Sequence, residues 1–202
     1  MIIYDISQEV FSGAVYPGDT DPSVVAVSRI ESGALYNLSD VNMCAHNGTH
    51  IDAPYHFFKD GKTVDGISLE KTVGRCVVAE AEGRMTASDA KRIVGSTDDR
   101  EASRRVLIKG DVVVTASAAR AFVDAGVCLI GIESQSFGEI DAPMEVHKIL
   151  LAEQIVLLEG IRLGQIEVGS YLLCAAPINF GGIDGAPVRA LLIDLNDLVK
   201  SK

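Results

Sequence analysis

The sequence has few sulfur side chains and no long apolar run. Its four cysteines are widely spaced and form no Cys-x-x-Cys pair, so we interpret them as reduced residues of the core. No stretch approaches the roughly 18 apolar residues needed to span a bilayer. The segment Met1–Asp5 lacks a basic stretch followed by a long apolar run, which is the pattern of a secretory signal. We therefore expect a cytoplasmic protein without a membrane partner.

Positive charge is also scarce. Eighteen Lys and Arg residues stand against 28 Asp and Glu residues, which gives a net charge of −10 at pH 7. A field of this sign repels phosphate backbones and anionic membrane surfaces, so we expect no nucleic-acid partner. No linker, internal repeat or charge block divides the 202 residues. One domain over residues 1–202 is the simplest organisation.

Short runs rich in Val and Ile alternate with helical patterns, which is typical of an α/β or α+β domain. The predicted strands are Ile2–Asp5, Val24–Arg29, Tyr36–Met43, Arg75–Glu80, Val106–Ile108, Val127–Ile132, Ile155–Glu159, Tyr171–Ala176 and Ala190–Asp194. Capping signals predict three helices: Ala87–Val94 after Thr86 or Ser88, Ala116–Ala125 between Thr115 and Gly126, and Pro143–Ala152 after Asp141.

Histidine is scarce and clustered. Three of the four histidines lie between residues 46 and 56, in one stretch with Asp52. Two imidazoles four residues apart would share the face of a helix. However, the neighbouring Asn47-Gly48 pair and Pro54 argue against a helix here. We therefore predict an extended chain.

In an extended chain the even-numbered positions share a face. His46, His50 and Asp52 would then point the same way, and Gly48 would leave room between them for an ion or a substrate. Nitrogen and oxygen donors of this kind suit Zn²⁺ and, less tightly, Mn²⁺. The alternative is a polar surface strand with incidental histidines. The density of donors in one short segment favours the chelating interpretation.

Two further polar residues lie in apolar surroundings. His147 lies in the third predicted helix with Leu150 and Leu151 on the same face, so its side chain is predicted to point inward. A hydrogen-bonded core histidine is the usual explanation for such a position. Glu159 ends an apolar strand, where α/β sheets commonly present their sites. A charge at the rim of the sheet is as good an explanation without other information.

Four segments resemble one protein family. Residues 46–57 read His-Asn-Gly-Thr-His-Ile-Asp-Ala-Pro-Tyr-His-Phe and resemble the signature His-x-Gly-Thr-His-x-Asp-x-Pro-x-His-Phe of the metal-dependent cyclase-family hydrolases. Residues 147–161 resemble the second metal-binding stretch of that family, a helical His followed by Leu-Glu at the end of a strand. Residues 16–19 and 184–190 resemble further family segments, so the resemblance runs nearly from end to end.

The resemblance implies a swivelling β/β/α domain with a mixed sheet, a homo-oligomer such as a dimer or tetramer, and one or two divalent ions, Zn²⁺ or Mn²⁺. Carried over by position, the first metal would be bound by His46, His50 and Asp52. The second would be bound by Asp52, His147 and Glu159. The resemblance makes His56 the catalytic acid or base, a role that suits an imidazole.

The activity implied is hydrolysis of a small-molecule amide, with the arylformamide N-formylkynurenine as the best single substrate. Alternatives are an isatin-type cyclic amide or a lactone, or metal binding without turnover. The chain departs from the kynurenine formamidases that it resembles at three places. Tyr16 stands where they carry Trp, and residues 131–136 lack their usual Asp-Thr-x-Ser-x-Asp motif. They also have a longer insertion after the strand that ends at Lys109, whereas here Lys109 leads almost directly into the helix after Thr115.

Overall fold

A nine-stranded sheet forms the centre of the structure, a computed structural model that describes residues 1–139, 142 and 144–194. The strands are β1 (Ile2–Asp5), β2 (Ser23–Ser28), β3 (Leu38–Asn42), β4 (His50–Asp52), β5 (Val73–Glu80), β6 (Gly83–Met85), β7 (Arg105–Lys109), β8 (Val112–Val114), β9 (Leu129–Ile132), β10 (Val156–Glu159), β11 (Gly169–Cys174), β12 (Gly185–Pro187) and β13 (Leu191–Asp194). The helices are α1 (Leu69–Thr72), α2 (Ala87–Val94), α3 (Ala116–Asp124) and α4 (Met144–Ala152).

The large sheet is mixed, with the strand order β1-β13-β11-β5-β7-β9-β10-β4-β12. Its middle, from β5 through β7 and β9 to β10, is parallel. Antiparallel strands extend it on both sides, with β4 and β12 at one edge. Two smaller sheets pair β2 with β3 and β6 with β8. This architecture confirms the predicted α/β class with a mixed sheet.

The central strands are apolar on both faces because both faces are covered, as expected for parallel strands. Val106 and Ile108 of β7 pack into the same core cluster as helices α2, α3 and α4. Leu107, between them in sequence, points to the opposite face and packs with Ile161 and Leu163 from the loop after β10. The sheet is therefore the middle layer between two apolar cores.

The predicted capping signals act at two helices. Thr86 and Asp89 form a reciprocal capping box at the start of α2, so Thr86 rather than Ser88 is the cap. The Thr115 side chain accepts a hydrogen bond from the Ala118 amide at the start of α3. The predicted cap of α4, Asp141, and the predicted first residue of that helix, Pro143, lie outside the described residues.

All nine predicted strands are present, with ends within two residues of those predicted. Strand β4 lies in the segment predicted to be extended, and the strands that the pattern missed are β6, β8 and β12, each of three residues. Three residues are too short to show the alternation that marks a strand. The four cysteines are free, as predicted, but only Cys76 and Cys128 are buried in the core, whereas Cys44 and Cys174 are partly exposed. In the part of the chain that the structure describes, no helix is long and apolar enough to cross a membrane.

Leu107 tests this layered arrangement because its side chain is fully buried at the centre of the sheet. We expect Leu107→Ala to lower the free energy of unfolding by about 2–5 kcal/mol, since the truncation leaves a cavity between layers. Leu69→Ala, at a leucine that is 58% exposed, should change it by less than about 0.5 kcal/mol. Urea unfolding followed by circular dichroism measures both. Equal effects of the two substitutions would contradict the layer assignment.

Candidate active site

Strand β4 brings a histidine and two carboxylates together. It lies between β10 and β12, and in the β10 register Glu159 is directly opposite His50. Because alternate residues of a strand share a face, His50 and Asp52 point to the same side as Glu159. Leu157, opposite Asp52, belongs to the core cluster under the helices. The three polar side chains therefore face the helical layer.

Helix α4 covers this face and supplies His147. The imidazole is buried, with Nε2 at 3.2 Å from Glu159 Oε1 and 3.7 Å from Asp52 Oδ2. The ring of Phe57 stacks on it with the ring centroids 4.8 Å apart. The Phe137 amide also donates to Glu159 Oε1, at 3.1 Å. His147 thus points inward as predicted, and its surroundings are a cluster of carboxylates rather than plain apolar core.

His46 does not lie on the strand, so the prediction of one shared strand face is wrong for this residue. It sits in a turn before β4, where Asn47 Oδ1 accepts a hydrogen bond from the Cys44 amide. Gly48 continues the turn with a positive φ of 71°. A Cβ at Gly48 would lie 3.1 Å from the Val10 side chain. The space beside this glycine is therefore filled by Val10, and the prediction that it leaves room for an ion is wrong.

The turn nevertheless returns His46 to the site. Its Nδ1 lies 2.8 Å from Asp52 Oδ1, and its Nε2 lies 2.8 Å from Asp184 Oδ2. His56 ends a short 3-10 helix, Pro54–His56, and its Nδ1 lies 3.2 Å from the same Asp184 oxygen. The His56 side chain is 31% exposed, so it stands at the rim of the site.

Burial and charge act against each other in this cluster. Burial lowers the pKa of His46, but hydrogen bonds to Asp184 and Asp52 outweigh it and raise the pKa to about 11. Burial also lowers the pKa of His50, and the carboxylates of Asp52 and Glu159 raise it to about 9. The pKa of Asp52 is held well below its usual value by His46 and His50, although burial alone would raise it. The buried carboxylates are therefore stabilised by positive charge beside them.

The donor set fits a divalent cation. His50, Asp52 and Glu159 form one group whose ligand atoms lie within 4.8 Å of one another, and His46, Asp52 and His56 form another. The Nδ1 of His50 is engaged by the Gly48 carbonyl at 3.1 Å. Its buried Nε2 makes no well-directed hydrogen bond but lies 3.2 Å from Glu159 Oε2 and 3.5 Å from Asp52 Oδ1. A buried imidazole nitrogen without a hydrogen bond, beside two carboxylates, is a suitable metal ligand. Asp52 belongs to both groups.

A cavity of about 160 Å³ opens onto these donors. Its lining consists of the six predicted site residues together with Tyr16, Asp19, Phe57 and Ser136. Among the described residues, the shortened segment after Lys109 contributes nothing to the lining. Tyr16, which stands where the kynurenine formamidases that the chain resembles carry Trp, is at the cavity wall.

Asp184 is the residue that sequence reasoning missed. The resemblance of residues 184–190 to a family segment was a signal, but it carried no role for the carboxylate. Asp184 immediately precedes β12, whose Gly185 pairs with Asp52 in the register. That long-range pairing places the carboxylate between His46 and His56, and no local pattern indicates it.

Comparison with known proteins gives relatives that share this architecture. The family described as "Putative cyclase" matches residues 4–139. The chain is 32% identical to a kynurenine formamidase of Salinibacter ruber (strain DSM 13855 / M31) over 217 aligned residues, which cover 98% of this chain and 100% of that protein. The similarity therefore covers both segments that carry the site residues, 46–56 and 147–159.

Solved structures agree with this comparison. A potential metal-dependent hydrolase with cyclase activity superposes with a TM-score of 0.81 at 26% identity, covering 95% of this chain and 96% of that one. Isatin hydrolase A of Labrenzia aggregata, bound to benzyl benzoate, superposes with a TM-score of 0.79 at 21% identity, covering 95% and 93%. At 21% identity, the similarity to isatin hydrolase A shows a shared fold and nothing further.

The donor set predicts bound metal. We expect the isolated protein to contain Zn²⁺ or Mn²⁺, and His50→Ala to lose most of it because a buried nitrogen ligand disappears. Cys44→Ala, in the turn before β4 but outside both groups of donors, should retain it. Elemental analysis of the purified proteins measures the metal. An absence of metal with no rebinding to apo-protein, or equal losses in the two variants, would show that the ligands are misidentified.

Proposed function

This chain belongs to the cyclase family, and on that premise we propose that it is a metal-dependent hydrolase that cleaves a small-molecule amide. The observation that carries the proposal is the pairing of a buried set of metal donors with one exposed imidazole at the mouth of the same cavity. His50, Asp52 and Glu159 are buried, whereas His56 is exposed beside them. A buried donor set holds an ion, and an accessible imidazole can exchange protons with a substrate.

We assign the metal to five residues: His46, His50, Asp52, His147 and Glu159. Asp52 approaches three of the four histidines of the chain, so it can serve one ion or be shared by two. We propose Zn²⁺, with Mn²⁺ as the alternative, since imidazole and carboxylate ligands suit both. A divalent cation held here supplies a Lewis acid for the substrate carbonyl and lowers the pKa of water.

His56 is proposed to transfer the proton that amide cleavage requires. An amide nitrogen is a poor leaving group until it is protonated, and imidazole is the side chain that most often makes such a transfer. The Nδ1 of His56 contacts Asp184, which leaves Nε2 for the substrate. A protein that only stored metal would have no use for an additional imidazole at the mouth of the cavity. This argues against the non-catalytic alternative.

For the substrate we propose an arylformamide, with N-formylkynurenine the best single candidate. The full-length relative at 32% identity is a kynurenine formamidase. Two aromatic side chains, Tyr16 and Phe57, line the cavity and can contact an aryl ring. An isatin-type cyclic amide or a lactone is the second candidate, which the shared fold of isatin hydrolase A supports. An arylformamide and an isatin-type cyclic amide both present a carbonyl bonded to a nitrogen that carries an aryl ring, and a lactone presents a carbonyl bonded to an ester oxygen.

The metal-loaded protein should release formate from N-formylkynurenine. His56→Ala should keep its metal and lose roughly 10²–10⁴-fold in turnover, the usual contribution of a positioned acid or base. The two quantities are measured on the same preparation, by elemental analysis and by the absorbance of the liberated arylamine. Joint loss of metal and activity would instead make His56 a ligand.

A leaving-group series separates these roles. Arylformamides with electron-withdrawing rings need less protonation, so they should recover part of the rate that His56→Ala loses. Equal losses on activated and unactivated substrates, with the chemical step limiting, would refute proton transfer by His56. Cleavage of isatin or a lactone without cleavage of any arylformamide would replace the proposed substrate by the second candidate.

We also propose that the chain forms a homo-oligomer through the hairpin of β2 and β3. Val24 and its cross-strand neighbour Val41 share one face of this hairpin, and each is more than half exposed. Asp40, the one charged residue in the two strands, pairs with Val25 and so lies on the opposite face. A chain with a net charge of −10 resists self-association, so contact between two copies requires such an uncharged apolar face.

Light scattering at micromolar concentration should therefore give a dimer or tetramer. Val24→Glu should shift the protein towards monomer because it adds charge to the proposed interface. Val168→Glu introduces the same charge at an equally exposed valine outside the hairpin, so it should leave the assembly intact. A monomeric wild-type protein, or dissociation caused equally by both substitutions, would contradict the proposal.

A further inference from the structure

Asp184 is placed to act on two histidines at once. Its Oδ2 accepts a hydrogen bond from His46 Nε2 at 2.8 Å and another from His56 Nδ1 at 3.2 Å. The first imidazole belongs to the proposed metal ligands, and the second is the proposed proton donor. The rings of the two histidines lie side by side with their centroids 4.2 Å apart.

The backbone holds this carboxylate in place from both sides. The Asp184 carbonyl accepts a hydrogen bond from the Ala53 amide at 2.8 Å, and the neighbouring Ile183 carbonyl accepts one from Val64. Strand β12 then continues the pairing with β4. Asp184 is thus fixed relative to Asp52, the carboxylate on the other side of His46.

Gly185 shows that the segment is shaped around the His46 ring. A Cβ at this position would lie 2.8 Å from His46 Cε1 and 2.8 Å from the Ile51 carbonyl oxygen, which is closer than packed atoms allow. The glycine lets the backbone of β12 approach the edge of the imidazole. The side chain of Asp184, one residue earlier, can therefore reach Nε2.

We propose that Asp184 is a positioning residue that sets the orientation and the tautomer of both His46 and His56. In the neutral imidazole that binds a metal, donation of one N–H to a carboxylate leaves the other nitrogen free as the ligand, and such outer partners of metal-binding histidines orient the ring and strengthen the ligand. For His46 the nitrogen left over is Nδ1, which already lies 2.8 Å from Asp52 Oδ1. For His56 it is Nε2. One carboxylate thereby links the metal site to the proton donor.

The inference rests on the proposed function for the roles of the two histidines, but its test does not require catalysis. The chain has four histidines, and all four line the cavity. Protein labelled with ¹⁵N-histidine therefore gives four imidazole patterns in a long-range proton–nitrogen spectrum, each of which reports which nitrogen carries the proton. His56→Gln identifies the His56 pattern.

In zinc-loaded wild type we expect His56 to carry its proton on Nδ1, and His46 to carry its proton on Nε2. Asp184→Asn, which keeps the volume of the side chain, should mix the two His56 tautomers and weaken zinc binding about 10–100-fold in a chelator competition. Asp184→Ala should do the same. Asp60→Asn removes an equal charge at an exposed loop residue outside the cavity lining, so it should change neither quantity.

Unchanged zinc affinity with an unchanged His56 pattern in Asp184→Asn would overturn the proposal. Loss of zinc with an unchanged His56 tautomer would make Asp184 a direct ligand and would also overturn it. If wild type binds zinc and shows these tautomers but cleaves no amide, the proposed function fails while the role of Asp184 stands. If no zinc binds, the metal assignment fails, and the His56 tautomer of the metal-free protein decides the question alone.

Discussion

The buried carboxylate of Asp52 is the point around which the site is built. Imidazoles from a turn, a strand and a helix approach it, with nitrogen to oxygen distances of 2.8 Å for His46, 3.5 Å for His50 and 3.7 Å for His147. A carboxylate taken out of water costs several kcal/mol unless cationic groups and hydrogen bonds surround it. The segments that carry the imidazoles therefore have to pack against β4. A divalent cation answers the same requirement for positive charge.

The sheet turns this local requirement into a site. Strand β4 has only three residues, but β10 and β12 flank it and each positions one more carboxylate. Glu159 of β10 lies opposite His50. Asp184 immediately precedes Gly185 of β12, which lies opposite Asp52. Helix α4 then closes the site with His147. The donors come from two segments, residues 46–52 and 147–159, that are 95 residues apart in sequence. The site therefore exists only when the whole edge of the sheet is formed. Metal binding and folding of this edge should consequently support each other.

Much of this could be predicted from the sequence because the signals are local. The long Val- and Ile-rich strands have a clear pattern, and the burial of His147 and the position of Glu159 at a strand end follow from their neighbours. The turn at His46 has one local signal, the Asn47-Gly48 pair, which is typical of turns, but the β-branched residues Thr49 and Ile51 beside it favour extended backbone. Asp184 could not be placed, because its position depends on the register of two three-residue strands.

The account predicts a metal at one defined position, and a crystal structure of zinc-loaded protein with anomalous data at the zinc edge tests it most directly. We predict an anomalous peak about 2.0–2.2 Å from a ligand atom of Asp52 and of at least two of its neighbouring donors, among them the His50 Nε2 that has no hydrogen bond in the structure. A peak elsewhere on the protein, or none beside Asp52 at saturating zinc, would contradict the central claim that this buried carboxylate organises a metal centre.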